Sequence, residues 1–163
     1  MLLMPMRRHS TLALAVVAMC MVVACTSHDA PAGRTLGSRS QSSTSPELVK
    51  QASEFGGIVI PPGAEVLQAR VDSALDTRYQ LALKIAPDNL PTLLTESHFA
   101  QPLAQVHPPF EPIIAGPDLL GSPSVVRGQD RYRNPEGKSV YRTIIVDERE
   151  PNLRFVHLNM NTT

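Results

Sequence analysis

Six prolines fall between Gln101 and Ser124, at positions 102, 108, 109, 112, 117 and 123. Each lacks a backbone N–H and fixes its own φ, so neither a long helix nor a central strand survives that density. The apolar residues between them, from Leu103 and Val106 to Leu119 and Leu120, must therefore sit on an irregular arm. A stretch this long without regular structure is unusual in a compact domain. Two readings follow. Either the arm lies over a sheet edge with its apolar residues packed, or it is a partner-binding loop whose contact residues are Phe110, Ile113, Ile114, Leu119 and Leu120. Packing is favoured, because Ile113-Ile114 and Leu119-Leu120 left in solvent would form a sticky patch.

Two segments ahead of the arm alternate as half-buried strands do. Leu67, Ala69 and Val71 alternate with Gln68 and Arg70, and Tyr79, Leu81, Leu83 and Ile85 with Gln80 and Lys84. The polar residues Asp72, Ser73, Asp76 and Thr77 between them predict an antiparallel hairpin. After Pro87-Asp88-Asn89, Leu90, Leu93, Leu94 and Ser97 recur at helical spacing, which predicts one short helix over 90–99 with Pro91 in its first turn. Beyond the arm the chain reads as all strand: 130–133, the turn Asn134-Pro135-Glu136-Gly137, then 139–147 and 153–159. Both faces of Thr143-Ile144-Ile145-Val146 are apolar, the mark of an interior strand. The expected class is α+β, a small antiparallel sheet of about five strands with one helix packed on a face.

The N-terminus carries a different signal. Arg7 and Arg8 precede an uncharged apolar run that ends in Val22-Val23-Ala24-Cys25, the three-part layout of a secretory leader. The run is shorter than the roughly 20 residues a helix needs to cross the hydrocarbon core. Val22-Val23-Ala24-Cys25 resembles the lipobox of bacterial lipoproteins. That resemblance covers the leader only and implies a diacylglyceryl group on the Cys25 thiol, cleavage before Cys25 and acylation of the new amino terminus. It also implies attachment to a bacterial membrane, either the outer face of the cytoplasmic membrane or, in a cell with two membranes, the outer membrane. Residues 1–24 are then a signal peptide, 25–46 a lipidated cysteine with a tether, and 47–163 a single globular domain. From Thr26 to Pro46 only Leu36 is a large apolar residue, so this stretch is expected to stay a coil, with a reach of roughly 25 Å.

Cysteine usage narrows the chemistry. Cys20 lies in the discarded run and Cys25 is the lipid site, leaving no thiol in the domain. Thiol nucleophiles, redox pairs, disulfides and cysteine zinc sites are thereby excluded. All 15 acidic residues follow Cys25, and removal of Arg7 and Arg8 takes the 15 basic residues to 13, for a net charge of −2. No basic stripe suited to nucleic acid is present, and no nucleic-acid partner is expected.

Motif by motif, the domain offers little reactive chemistry. His98, His107 and His157 form no H-x-H or H-E-x-x-H pair, so a metal site would need tertiary convergence, and no metal or other cofactor is expected. In Gly121-Ser122-Pro123-Ser124 a proline follows the serine, which disallows a nucleophile elbow. Gly56-Gly57 has no G-K-[ST] continuation and is no phosphate loop. Asp147, Glu148 and Glu150 with Arg149 read as a solvated hairpin turn rather than a calcium loop. His157, between Val156 and Leu158, is expected on the face away from the core.

Without a catalytic signature, the chain is expected to be a membrane-anchored, non-catalytic binding or accessory module with an envelope protein as partner. The alternative is a small envelope hydrolase. A histidine beside Asp130 or Asp147 in a pocket would favour it.

Overall fold

The computed structural model describes residues 39–162. The leader, Cys25 and the tether up to residue 38 lie outside the described residues. The class is α+β: seven strands form one antiparallel sheet in the order β1-β2-β3-β7-β6-β5-β4, with two helices. The strands are β1 (Arg39–Ser43), β2 (Glu65–Ser73), β3 (Thr77–Ile85), β4 (Ala104–Gln105), β5 (Val125–Arg133), β6 (Ser139–Glu150) and β7 (Leu153–Thr162). The helices are α1 (Pro46–Gly56) and α2 (Asn89–Glu96).

The hairpin expected from the alternation is present, with Ala69 opposite Leu81 and Val71 opposite Tyr79. The apolar run in β6 lies inside the sheet, flanked by β5 and β7. What alternation could not supply is the closing pair. β7 inserts between β3 and β6, setting Leu158 opposite Leu81 on one side and opposite Ile144 on the other. One sheet thus joins the two halves of the sequence.

Two elements differ from expectation. Arg39–Ser43 forms the edge strand β1 on β2, from Arg39 opposite Ser73 to Ser43 opposite Ala69, so folded structure starts earlier than the tether boundary at Pro46. A polar edge strand needs no apolar residues of its own, because its stability comes from backbone pairing along a neighbour already held. The second is α1, an additional helix. Ser45 caps it by accepting from the Leu48 N–H, Pro46 occupies its first turn, and Gly57 ends it at φ 62°. Its Leu48 and Ala52, four residues apart, are buried against the sheet. Gly56-Gly57 has a packing reason: a Cβ on Gly56 would overlap the Met160 sulfur, and one on Gly57 would strike the Tyr132 ring.

The two faces of the sheet are covered differently. α1 and α2 seal the first over Leu81, Leu83, Ile144, Val146, Val156 and Leu158. The second is crossed by the proline-rich arm, which leaves α2, pairs briefly as β4 with β5 at Arg127 and Val126, and then passes over the strands. A smaller core of Leu119, Val125 and Ile145, with Val106, Phe110 and Ile113 against it, lies beneath the arm. The arm covers a face rather than only an edge. Gly116, at φ 97°, lets it turn within van der Waals reach of His157, Phe155 and Leu67.

Candidate functional site

The most heavily bonded side chain in the domain is Arg142 of β6, 1% exposed. Its Nε donates to Asp130 Oδ1 at 2.8 Å and one terminal nitrogen to Asp130 Oδ2 at 2.5 Å. The remaining donors reach the carbonyls of Gly56 (3.0 Å), Ser97 (2.8 Å) and His98 (3.1 Å). The guanidinium also lies over the rings of Phe99 and Tyr132, at 4.2 and 4.8 Å. All five N–H groups are engaged, and the carbonyls belong to the C-terminal ends of α1 and α2. Arg142 therefore ties both helices to the central strands. Asp130 is spent on this ion pair and on the Ala100 N–H, while the His98 side chain is exposed and only its carbonyl takes part.

His157 departs from the expected position. It is on the face opposite the main core, as the alternation implied, yet it is buried, 6% exposed, beneath the arm. Neither ring nitrogen has a hydrogen-bond partner. Burial drives its pKa from 6.5 down to about 4; Asp147 pulls it up and Arg149 pushes it further down. The cavity beside it is about 20 Å³, room for one water rather than a substrate.

Asp147 is fully buried, with Arg149 Nε at 2.6 Å and Ser122 Oγ at 2.5 Å. Ser122, Asp147 and His157 are thus gathered in one region, but the serine bonds to the carboxylate and not to the imidazole. A nucleophile needs a base that takes its proton and a third group that orients that base. Here Asp147 instead accepts from Ser122 and from Arg149, whose side chain also reaches the Asp118 carbonyl, so the cluster fastens the end of the arm to the sheet. Of the remaining turn carboxylates, Glu148 is similarly engaged, with Ser124 and Arg154, while Glu150 is exposed. Among the described residues no group of three His, Cys, Asp or Glu side chains is placed to hold a metal.

Of the five loop residues singled out in the sequence, Leu119 is buried, Phe110, Ile113 and Ile114 are half-buried, and Leu120 is 67% exposed. The arm directs most of its apolar surface inward.

The part of the second face that the arm leaves open was not singled out in the sequence. Strand register aligns its side chains in two rows. One runs Arg70, Gln80, Asn159, Thr143, Gln129 across five strands, and the other Asp72, Arg78, Asn161, Tyr141, Arg131. Every member is polar or charged, and Gln80, which lies against the arm, is buried. Asp72 accepts from Arg70 Nε at 3.0 Å and from Arg78 at 2.8 Å. Burial raises its pKa, but hydrogen bonds from Arg78, Ser40 and Arg70 outweigh that and hold it at about 2. Arg131 stacks on the Tyr141 ring at 4.3 Å. Where the rows meet the arm, a cavity of about 330 Å³ opens between Arg70, Arg78, Gln80 and Asn159 on the sheet and Ile113 and Ile114 on the arm. A shallower groove of about 670 Å³ follows Gln129, Arg131, Tyr141, Thr143 and Asn161. Each residue reads singly as the solvent side of a strand, so only the register reveals the rows. Compared with known family models, curated proteins and solved structures, the chain matches none.

Proposed function

We propose that this chain is a lipid-anchored, non-catalytic binding module of the bacterial cell envelope, held to its membrane through Cys25 and contacting its partner through the open half of the second sheet face. The lipobox-like Val22-Val23-Ala24-Cys25 supports the anchor. The observation that carries the binding reading is the pair of polar rows lying side by side across five strands. A platform on regular strands, clamped from behind by Arg142, holds its side chains in place before any partner arrives, which lowers the ordering cost of binding. The arm borders it through Ile113 and Ile114.

The hydrolase alternative draws on Asp147 beside His157. It lacks a cavity of substrate size at that pair.

The test is photo-crosslinking in intact cells, with the crosslinker placed at Gln129, at Asn161 or, on the exposed side of α1, at Lys50. Adducts are expected from Gln129 and Asn161 and not from Lys50; adducts from Lys50 alone would overturn the reading. Cys25→Ser should release the domain or leave an uncleaved precursor, and a wild-type N-terminal peptide without acyl mass would remove the anchor. His157→Gln, if it keeps its thermal midpoint, should still complement a deletion. Loss of complementation in that folded variant would make the hydrolase the leading reading.

A further inference from the structure

We infer that the cavity between the arm and the polar rows binds a carboxylate-bearing sugar unit, and that the rows beyond it carry the adjoining units of an acidic oligosaccharide. The inference rests on reading the open half of the sheet as a binding face and names the ligand class for it.

Charge comes first. Arg70 and Arg78 stand on adjacent strands and share a single carboxylate, Asp72, which takes two nitrogens of Arg70 and one of Arg78. Two guanidiniums against one carboxylate leave one positive charge unbalanced. Each guanidinium has five N–H donors, so most of them are available to a second carboxylate. Asp72 holds the two cations side by side and leaves terminal N–H groups of both free to donate to a second carboxylate. Farther along the same row, Arg131 bonds to the Tyr141 hydroxyl and has no carboxylate partner among the described residues. Across the two rows Arg70, Arg78 and Arg131 outnumber Asp72. The arm's Glu111 also lines the cavity, and it is paired with Arg127.

The neutral groups suit a ligand that is more than a bare anion. Beside the two arginines the cavity is lined by the amide side chains of Gln80 and Asn159, and the groove beyond it by those of Gln129 and Asn161. Asn159 Oδ1 itself and both nitrogens of His157 are sealed from solvent and lie out of a ligand's reach. A carboxylate brings no donor for an amide oxygen, whereas hydroxyls do. Asn and Gln side chains, each with an acceptor oxygen and a donor NH₂, match hydroxyl groups on both counts. Ile113 and Ile114 form an apolar wall for the C–H face of a ring.

Size and continuity point the same way. At about 330 Å³ the cavity is at the small end for a ligand site, suited to one sugar unit. It does not end there: Asn159 and Asn161 both line the next depression, and Asn161 also lines the groove along Tyr141 and Arg131. The donors and acceptors of the rows continue from strand to strand, as an extended, hydroxyl-rich ligand needs.

The test uses the full-length chain in detergent micelles, titrated calorimetrically with trigalacturonate, with its methyl ester, which keeps the hydroxyls and removes the charge, and with phosphatidylglycerol vesicles. Trigalacturonate should bind at least about ten-fold more tightly than the ester, and Arg70→Gln and Arg78→Gln should each weaken it by about ten-fold. Asn159→Asp keeps the side-chain volume but sets a negative charge against the ligand's carboxylate. It should abolish binding, and it serves if an arginine variant loses its thermal midpoint. Equal affinity for the ester, no binding of trigalacturonate, or binding only to the vesicles would overturn the inference. If crosslinks from Gln129 and Asn161 persist in cells while trigalacturonate fails, the binding face stands and the ligand class falls.

Discussion

Arg142 and His157 show how differently a buried polar residue can be accommodated. For Arg142, removal is costly because Asp130 would remain as a buried charge without its partner and three carbonyls would lose their donor. Arg142→Ala should destabilise the domain by about 3–5 kcal/mol in urea denaturation. The double change Asp130→Ala, Arg142→Met should recover part of that, since no unpaired charge remains. A single-variant cost below about 1 kcal/mol would show that the guanidinium does not hold the helices. His157 has no partner and stays neutral instead. Its folded pKa of about 4 lies below the unfolded 6.5, so between those values the unfolded chain holds a proton that the folded chain does not. Stability should therefore fall as pH drops from 6.5 towards 4, by up to about 3 kcal/mol, and level off below that. His157→Phe should flatten the slope in this window. Asp72 acts lower, its contribution being lost only as pH falls from 3.8 towards 2, so the two effects are separable by pH. An unchanged slope in the Phe variant would show that His157 is hydrated in the folded state. The sequence placed His157 on the correct face of its strand but not under a cover, because alternation reports the direction of a side chain and not what lies above it.

At the level of elements, the periodicities that were strong were also informative. The β2–β3 hairpin, α2 and the interior position of β6 were legible because each repeats its apolar pattern several times. α1 left a weaker trace, with Leu48 and Ala52 following directly on a Ser/Thr-rich stretch, and β1 left none. The open rows escaped for a related reason: Gln, Asn, Thr and Arg facing outward are what any half-solvated strand carries, and their alignment depends on pairing across 60 or more residues, as between Gln80 and Asn159. The two-sided core is open to test. Leu83 is fully buried on the helix side and Ile145 is 6% exposed on the arm side. Leu83→Ala and Ile145→Ala should each cost about 2–5 kcal/mol. Their costs should add to within about 0.5 kcal/mol, because they belong to separate core clusters on opposite faces. A near-zero cost at Ile145 would mean that the arm lifts away from the sheet in solution.

For the molecule as a whole, β1 shows that the folded unit includes residues from Arg39 on, ahead of the Pro46 boundary suggested by composition. Limited proteolysis of the full chain should leave a stable fragment beginning near Arg39; a fragment beginning after Pro46 would show that β1 detaches readily. The sequence by itself determined the α+β class, the hairpin, the interior strand, the irregular arm and the absence of thiol chemistry from the domain. These follow from local periodicity, proline's missing N–H and cysteine counting, which need no knowledge of neighbours. Only the tertiary structure decided that β7 closes the sheet between β3 and β6, that Arg142 fastens both helices, that the arm roofs part of one face, and that ten polar side chains form two rows running out from beneath it. Each of those depends on which distant backbones pair and in what register, and a chain read one residue after another does not contain that register.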